Sequence, residues 1–297
     1  RVWVKGEGVD MELRSPKQPV SIAHLLTHMS GLTYGESLSP SDHPVDKLYG
    51  PLTDGQTSLT GFVDKLSTIP LRFDPGTNWC YSLATDVCGA LVEIISGQPF
   101  SEFLGERLFE PLDMSDTSFT ISDEKVPRLA ANYERDQDKN LVLVDDPVES
   151  IYADTRRLQS GGGGLLSTTA DYAKFCEMLL GGGKYNGCRI IGDRTLKMMC
   201  QNHLPMNADL ASVAMGSFSE TAYEGVGFGL GFASTLSEVK AHILGEGDFY
   251  WGGMASTIFW VDPRERMFCV FMTQMVPSGT FNFRGQLKSI VYSAFED

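Results

Sequence analysis

The chain has 297 residues, and 42% apolar with 10% aromatic residues supply enough material for a substantial core in one large domain or two interleaved ones. Lys and Arg number 24 against 38 Asp and Glu, so the net charge of −14 would repel nucleic-acid phosphates and anionic lipids. Nucleic acid is therefore disfavoured as a partner, and no apolar run reaches the roughly 20 residues that span a bilayer.

The first ten residues, RVWVKGEGVD, lack the basic start, apolar middle and small-residue exit of a signal peptide. They open on Arg1 in what reads as a strand or loop, so we expect an upstream piece, with any targeting signal, to be missing. The cysteines are scattered without a C-x-x-C pair, which favours free thiols and a cytoplasmic location. The six are Cys80, Cys88, Cys176, Cys188, Cys200 and Cys269.

Five helices are predicted before residue 190. Ser21 can cap the first one, Gly97 ends the third, and Pro99 opens the fourth. Thr168, three residues before Asp171, marks the start of the fifth. The helical segments fall in residues 20–28, 59–70, 80–97, 99–112 and 160–183.

Two patterns among these helices could hold ligands. His24 and His28 have the i, i+4 spacing of a zinc-binding helix, but Leu25 occupies the position of the Glu in H-E-x-x-H. Local capping and hydrogen bonding explain the pair, so we predict no metal. The glycine runs in residues 160–183 lack both G-K-[ST] and G-x-G-x-x-G, which favours tight backbone packing over a phosphate site.

The pattern changes after about residue 225. Short β-branched and aromatic runs separated by Gly, Pro and charged turns are typical of an antiparallel meander. A closing helix follows, with one apolar face. Helices, then strands, then a helix predict an α+β fold, in which helices flank an antiparallel sheet beside a helical subdomain. The apolar face of the closing helix consists of Leu287, Ile290, Val291, Ala294 and Phe295.

With these segments placed, the chain resembles the serine β-lactamase-like superfamily, which includes the penicillin-binding proteins. Within it the chain is most similar to the esterase and transesterase branch, the family VIII carboxylesterases. The resemblance implies a mostly helical part, residues 19–205, and a sheet part made of residues 1–18 and 206–297. The matching segments, in the family's order, are PVSIAHLLTHMSGLTYG (19–35), FDPGTNWCYSLATDVCGALVEIISGQPFSEFLGERLFEPLDMSDTSF (73–119), GGGGLLSTTADYAKF (161–175), GFGLGF and YWGGMASTIFWVDP (both within 227–263).

The family's chemistry uses a Ser and a Lys on one helix, a Tyr from a second motif and a strand motif that is usually Lys-Thr-Gly. Tyr81 of YSL matches the tyrosine, and the resemblance assigns it the role of general base in acylation and general acid toward the leaving group. Leu83 replaces the usual Asn of Tyr-x-Asn, which weakens recognition of amide substrates and favours esters.

Trp251-Gly252-Gly253 stands where Lys-Thr-Gly would stand. The apolar face of Trp251 can line an acyl or alcohol pocket, but it offers no charge to a substrate carboxylate. By the same alignment, the backbone N–H of Met254 is one oxyanion-hole donor and the nucleophile's own N–H is the other. Tyr34 is a weaker candidate for the pocket wall.

The family's Ser-x-x-Lys helix precedes the segment that begins at Pro19, and the 18 residues before it hold no such motif. We expect the nucleophile upstream of Arg1, with the N-terminal portion of the α/β part missing, and favour a fragment of an active enzyme over an inert relative. A sheet without its first strands would expose an unpaired edge, so poor solubility is expected for residues 1–297 alone.

Two pairs within the chain spell Ser-x-x-Lys. Ser122 and Lys125 lie in a solvated stretch where Pro127 disfavours helix at the residue before it. Ser237 and Lys240 lie in a charged turn, where helical i, i+3 geometry is not expected. Neither pair is predicted to be catalytic.

These observations favour a carboxylic ester hydrolase or acyltransferase that works through an acyl-serine intermediate without a cofactor. A small-molecule ester is the expected partner, and the oligomeric state is not indicated. A β-lactamase or D-Ala peptidase, and a non-catalytic binding relative, stay open as alternatives.

Overall fold

The computed structural model describes residues 1–37, 40–50, 52, 58–215 and 223–295. The closing segment's last two residues, Glu296 and Asp297, lie outside this range. Within it the α-helices are α1 (Ile22–Leu26), α2 (Leu59–Ser67), α3 (Ala84–Ser96), α4 (Phe100–Leu104), α5 (Thr169–Leu180), α6 (Asp193–Cys200), α7 (Leu210–Val213), α8 (Glu238–Ala241) and α9 (Phe283–Tyr292).

In the described part of the chain, the strands form one large sheet and three small ones. The five-stranded sheet has the order β11-β10-β9-β8-β7, and consecutive strands pair antiparallel. The strands are β1 (Val2–Lys5), β2 (Glu12–Arg14), β3 (Asn132–Arg135), β4 (Leu141–Asp145), β5 (Lys184–Tyr185), β6 (Cys188–Arg189), β7 (Val226–Phe228), β8 (Ala233–Thr235), β9 (Phe249–Gly252), β10 (Ile258–Asp262), β11 (Met267–Phe271) and β12 (Met275–Val276).

The large sheet is the predicted meander, and helices cover both of its faces. Along β10, Ile258 and Trp260 belong to a core cluster against which α9 packs. Phe259 and Val261 point the other way, into a cluster that includes α5 residues. Because side chains alternate between the faces of a strand, this double cover leaves all of β10 buried. The predicted α+β architecture, an antiparallel sheet flanked by helices, is thus confirmed.

The helix termini follow the local signals. Ser21 caps α1 in a capping box with His24, and Gly97 ends α3 at a φ of 72°. Thr168 accepts a hydrogen bond from the Asp171 N–H at the start of α5. The helix predicted over 99–112 is less regular than expected, since α4 continues as a π-helix over Gly105–Phe109.

Three local predictions differ from the structure. A short helix, α8, does form at the charged turn: Lys240 lies in it, and Ser237, with extended backbone, caps it by accepting the Lys240 backbone N–H. The residue before Pro127 is helical too, in a 3₁₀ turn over Val126–Arg128, which tolerates proline in its first turn. In α9, Leu287 and Val291 pack on the sheet, whereas Ile290 is 66% exposed.

Residues 1–18 form the β1–β2 hairpin, which lies against the helical part. The N–H of Trp3 donates to the Leu71 carbonyl, the Leu71 N–H donates to the Arg1 carbonyl, and Trp3 packs on the cluster that includes Leu25. The two-part division predicted from the sequence assigned this hairpin to the sheet part. The split into 19–205 and the remainder stays a prediction.

The three-stranded sheet, β12-β3-β4, connects the C-terminal segment with residues 132–145. Strand β12 follows the large sheet directly and pairs in parallel with β3, which in turn pairs antiparallel with β4. The C-terminal segment is thereby tied by main-chain hydrogen bonds to residues 132–145. Among the described helices, none has both the length and the apolar character needed to cross a membrane.

Candidate active site

Main-chain hydrogen bonds connect the segment that carries Tyr81 to the turn that follows α1. The Gly76 N–H donates to the Met29 carbonyl (2.8 Å), and the Cys80 N–H donates to the His28 carbonyl (2.9 Å). The Leu83 N–H donates to the Thr33 carbonyl (3.3 Å) just before α3 begins. These main-chain bonds fix the backbone on both sides of Tyr81.

Aromatic rings surround the half-buried Tyr81. Its ring centroid lies 4.8 Å from that of His28 and 5.1 Å from that of Tyr34. Trp79, only 1% exposed, is stacked at 6.4 Å on another side. The Tyr81 ring is thus held in a defined orientation by packing.

Trp251, near the end of β9, completes the enclosure of Tyr81. Their ring centroids are 5.3 Å apart, and the indole Nε1–H donates to the Tyr81 hydroxyl at 3.4 Å. In the sheet, Trp251 pairs with Phe259 of β10, which sets its position relative to the central strand. The structure therefore brings together two motifs that are 170 residues apart in the sequence.

Gly252 and Gly253 lead from β9 into a tight turn. Gly252 pairs with Ile258, and the Gly253 N–H donates to the Thr257 carbonyl at 3.0 Å. A Cβ on Gly253 would collide with the Thr257 hydroxyl, so a side chain at this position would force Thr257 to shift. Beyond it, the Met254 side chain is 66% exposed. Its backbone N–H has no hydrogen-bond acceptor within the described part of the chain, as an oxyanion-hole donor requires.

Tyr34 lies on the far side of Tyr81 and near the start of α3. Burial, with Tyr81 and Asp86 nearby, raises the pKa of the Tyr34 hydroxyl. A Cβ on Gly162 would lie 3.0 Å from this hydroxyl, and one on Gly161 would collide with the Thr85 carbonyl. The first glycine run thus permits close packing against α3.

Leu83 does not join this group. It packs on the helical core cluster with Leu25 and Phe62, away from the cluster that holds Tyr81. The position that usually carries an amide in this motif therefore holds an apolar side chain that faces the helices.

The two Ser-x-x-Lys pairs are engaged elsewhere. Lys125 Nζ donates to the Ser115 carbonyl at 2.6 Å and lies 3.0 Å from the Asp116 carboxylate. Ser237 accepts the Lys240 N–H as a helix cap. Neither serine contacts Tyr81 or Trp251 through the bonds that the structure gives it.

The sequence analysis missed the contribution of His28 to the site. The ring is 2% exposed, its Nδ1 lies 3.2 Å from the Ser82 hydroxyl, and burial lowers its pKa to about 3. A neutral His28 thus contacts the residues on both sides of Tyr81 as well as its ring. In the sequence, His28 is distinguished only by its i, i+4 spacing from His24. Among the described residues, no three His, Cys, Asp or Glu side chains are close enough to hold a metal.

Comparisons with known proteins show which proteins this chain is similar to. The beta-lactamase family model matches residues 7–288. An uncharacterized protein of Mycobacterium tuberculosis is 31% identical over 88% of this chain and 64% of its own length. Lovastatin esterase of Penicillium rubens is 29% identical over 86% of this chain and 63% of its own length. The chain thus spans slightly less than two thirds of these curated relatives.

A solved structure with a similar fold is EstCE1, described as a hydrolase with promiscuous acyltransferase activity. It is 27% identical, with a TM-score of 0.74 over 92% of this chain and 72% of EstCE1. Esterases and acyltransferases therefore occur among the similar proteins.

Proposed function

Since the chain belongs to the beta-lactamase family, we propose that it is the larger part of a carboxylic ester hydrolase or acyltransferase that works through an acyl-serine intermediate. The contact between Trp251 Nε1 and the Tyr81 hydroxyl carries the proposal. It supports the proposal because the Tyr81 hydroxyl, the proposed proton-transfer group, contacts Trp251, and Trp251 lies three residues before Met254, whose N–H has no acceptor among the described residues.

The proposed reaction has two steps, acylation of the serine and deacylation, which use the same groups. As the serine oxygen attacks the ester carbonyl carbon, Tyr81 takes the serine proton as a phenolate whose own proton is held by the assisting lysine, and the Met254 N–H donates to the developing oxyanion. The carbon–alkoxy bond then breaks, and Tyr81 gives the proton to the leaving alcohol. Water or a second alcohol attacks the acyl-serine along the same proton route. The serine, and the lysine that assists Tyr81, are proposed to come from a Ser-x-x-Lys element outside these 297 residues.

Two replacements favour esters over β-lactams. Trp251 fills a position where a lysine would bind a substrate carboxylate, and its indole is half-buried against aromatic rings. Leu83 packs into the helical core and offers no amide to a peptide-like substrate. We propose a small-molecule ester with an apolar acyl or alcohol part as the substrate.

The test uses the full-length natural protein, with p-nitrophenyl butyrate and a chromogenic cephalosporin as alternative substrates. Ester turnover is expected, and Tyr81→Phe should lower kcat at least about 1000-fold because the proton route is lost. The matched control Tyr133→Phe alters a partly exposed tyrosine on β3 and should leave kcat unchanged.

Other outcomes point to the alternatives. Cephalosporin turnover without ester turnover would overturn the proposal in favour of a β-lactamase or peptidase. Absence of both activities, in a protein that carries its Ser-x-x-Lys helix, would favour a non-catalytic binding relative.

A further inference from the structure

The turn between β9 and β10 is held by a closed set of main-chain hydrogen bonds. The Gly253 N–H donates to the Thr257 carbonyl, and the Ser256 N–H donates back to the Gly253 carbonyl, both at 3.0 Å. The Ser256 hydroxyl donates to the Met275 carbonyl (2.6 Å), and the Met275 N–H donates to the Ala255 carbonyl (3.1 Å). Strand β12 therefore fixes the outer side of the turn that holds Met254.

One side chain from α9 reaches the inner side of this turn. Arg284 Nη2 donates to the carbonyls of both Gly253 and Thr257 at 3.1 Å. Arg284 lies in the first turn of α9, where the helix dipole disfavours a cation. Helix stability therefore does not explain a positive charge at this position, whereas the two carbonyls do.

The Gly253 carbonyl and the Met254 N–H belong to the same peptide unit. Within the described residues the one cis bond precedes Pro277, so the Gly253–Met254 peptide is trans and planar. In a trans peptide the C=O and the N–H point in opposite directions. Arg284 and the Ser256 N–H hold the oxygen end, so the Met254 N–H must point away from α9.

A positive charge beside the carbonyl oxygen of a peptide group also affects how strongly its N–H donates. A charge-assisted hydrogen bond to a carbonyl draws electron density through the amide, and hydrogen bonds in a chain strengthen one another. The Met254 N–H becomes a stronger donor without any contact between Arg284 and the bound substrate.

We propose that Arg284 is a positioning residue of the oxyanion site. It orients and polarises the Gly253–Met254 peptide so that the Met254 N–H can stabilise the tetrahedral oxyanion. This inference rests on the proposed function, because it assigns the oxyanion to Met254.

The expected effect is on kcat rather than on substrate affinity. The negative charge on the oxygen is absent from the bound ester and develops only on the way to the tetrahedral intermediate, so a weaker donor slows chemistry while KM stays nearly constant. Loss of one whole oxyanion donor costs about 100- to 1000-fold in rate. A donor that is kept but less polarised and less well aligned should cost roughly 10- to 30-fold in Arg284→Met.

The experiment compares three variants of the full-length protein. Arg284→Met removes the charge, whereas Arg284→Lys keeps it without the planar guanidinium and should recover part of kcat. The control Arg264→Met removes another arginine that donates to a carbonyl, that of Glu246 at 2.7 Å, at the opposite end of β9 and β10 from this turn. Arg264→Met should leave kcat and KM unchanged.

A second measurement does not depend on turnover. With ¹⁵N-methionine labelling, and the Met254 signal assigned through Met254→Leu, the amide proton should move upfield in Arg284→Met and stay in place in Arg264→Met. An unchanged Met254 signal overturns the inference, whether or not the protein hydrolyses esters. A shifted signal in a protein without ester turnover supports the polarisation but contradicts the proposed function. A rise in KM at constant kcat would overturn the assignment to the oxyanion.

Discussion

Two five-residue strands of this chain have almost the same pattern and opposite environments. Strand β10 is IFWVD and β4 is LVLVD, each with four apolar residues before an aspartate. Every residue of β10 is at most 7% exposed, whereas the four apolar residues of β4 are 38% to 62% exposed. Both runs specify a strand, but only the elements that pack on each face determine whether it becomes core.

The aspartates at the ends of the two strands behave alike. Asp262 accepts the N–H groups of Arg264 and Glu265, and Asp145 accepts the Ser150 hydroxyl and the Ile151 N–H. Each carboxylate stabilises the turn after its strand. Local chemistry is thus shared, and the difference between the strands comes from long-range packing alone.

The largest expected loss of stability comes from a substitution in β10, the covered strand. Trp260, the middle residue of β10, is fully buried between neighbouring side chains, so Trp260→Ala should lower the free energy of unfolding by about 3–5 kcal/mol. Urea denaturation of the full-length protein measures the change, and Trp260→Phe should cost less because most of the apolar area stays. A loss below about 1 kcal/mol for Trp260→Ala would contradict the described packing.

The burial of His28 predicts that the stability of the protein depends on pH. His28 has a pKa of about 3 when folded, against its ordinary value of 6.5, so the unfolded chain binds more protons between these values. Stability should therefore fall as the pH falls through this window, by about 2 kcal/mol from pH 7 to pH 5. The measurement is the difference in pH dependence between the natural protein and His28→Phe.

Ser82→Ala is the control for this prediction. It removes the hydroxyl beside Nδ1 but leaves the ring buried, and burial is what lowers the pKa. The pH dependence of Ser82→Ala should therefore match that of the natural protein. Equal pH dependence in His28→Phe would mean that His28 is not held neutral by burial.

The smallest effect is expected in the uncovered strand. Leu143 occupies the middle of β4, as Trp260 does in β10, but it is 45% exposed. Leu143→Thr keeps a residue that favours strands and should change the free energy of unfolding by less than about 1 kcal/mol. A loss comparable to that of Trp260→Ala would show that β4 is covered in the full-length protein.

The sequence predicted those parts of the molecule that depend on neighbours along the chain. Capping at Ser21, the glycine end of α3 and the meander from β7 to β11 all follow from local patterns. The motifs at Tyr81 and Trp251 could be named in advance through the family resemblance, and the structure places them in contact. Their roles in catalysis remain predictions.

Features that depend on distant partners were not visible in the sequence. Lys288 in α9 is 2% exposed and forms an ion pair with Asp248, although a lysine in an amphipathic helix is usually on the solvent side. The assignment of Ile290 to the buried face failed for the same reason, since helical periodicity does not reveal where the sheet ends. Arg284 likewise carries no local signal, because the two carbonyls to which it donates lie about 30 residues away.

The pairing of β12 with β3 has a consequence for the order of folding. Met275 lies opposite Tyr133, about 140 residues away along the chain, and it also holds the turn at Ala255 and Ser256. Closing so long a loop is entropically costly and slow unless other contacts have already brought its ends together. The turn that holds Met254 is therefore expected to acquire its final geometry late, after the meander and the helices have formed. During refolding, recovery of the proposed ester turnover should lag behind burial of the core tryptophans.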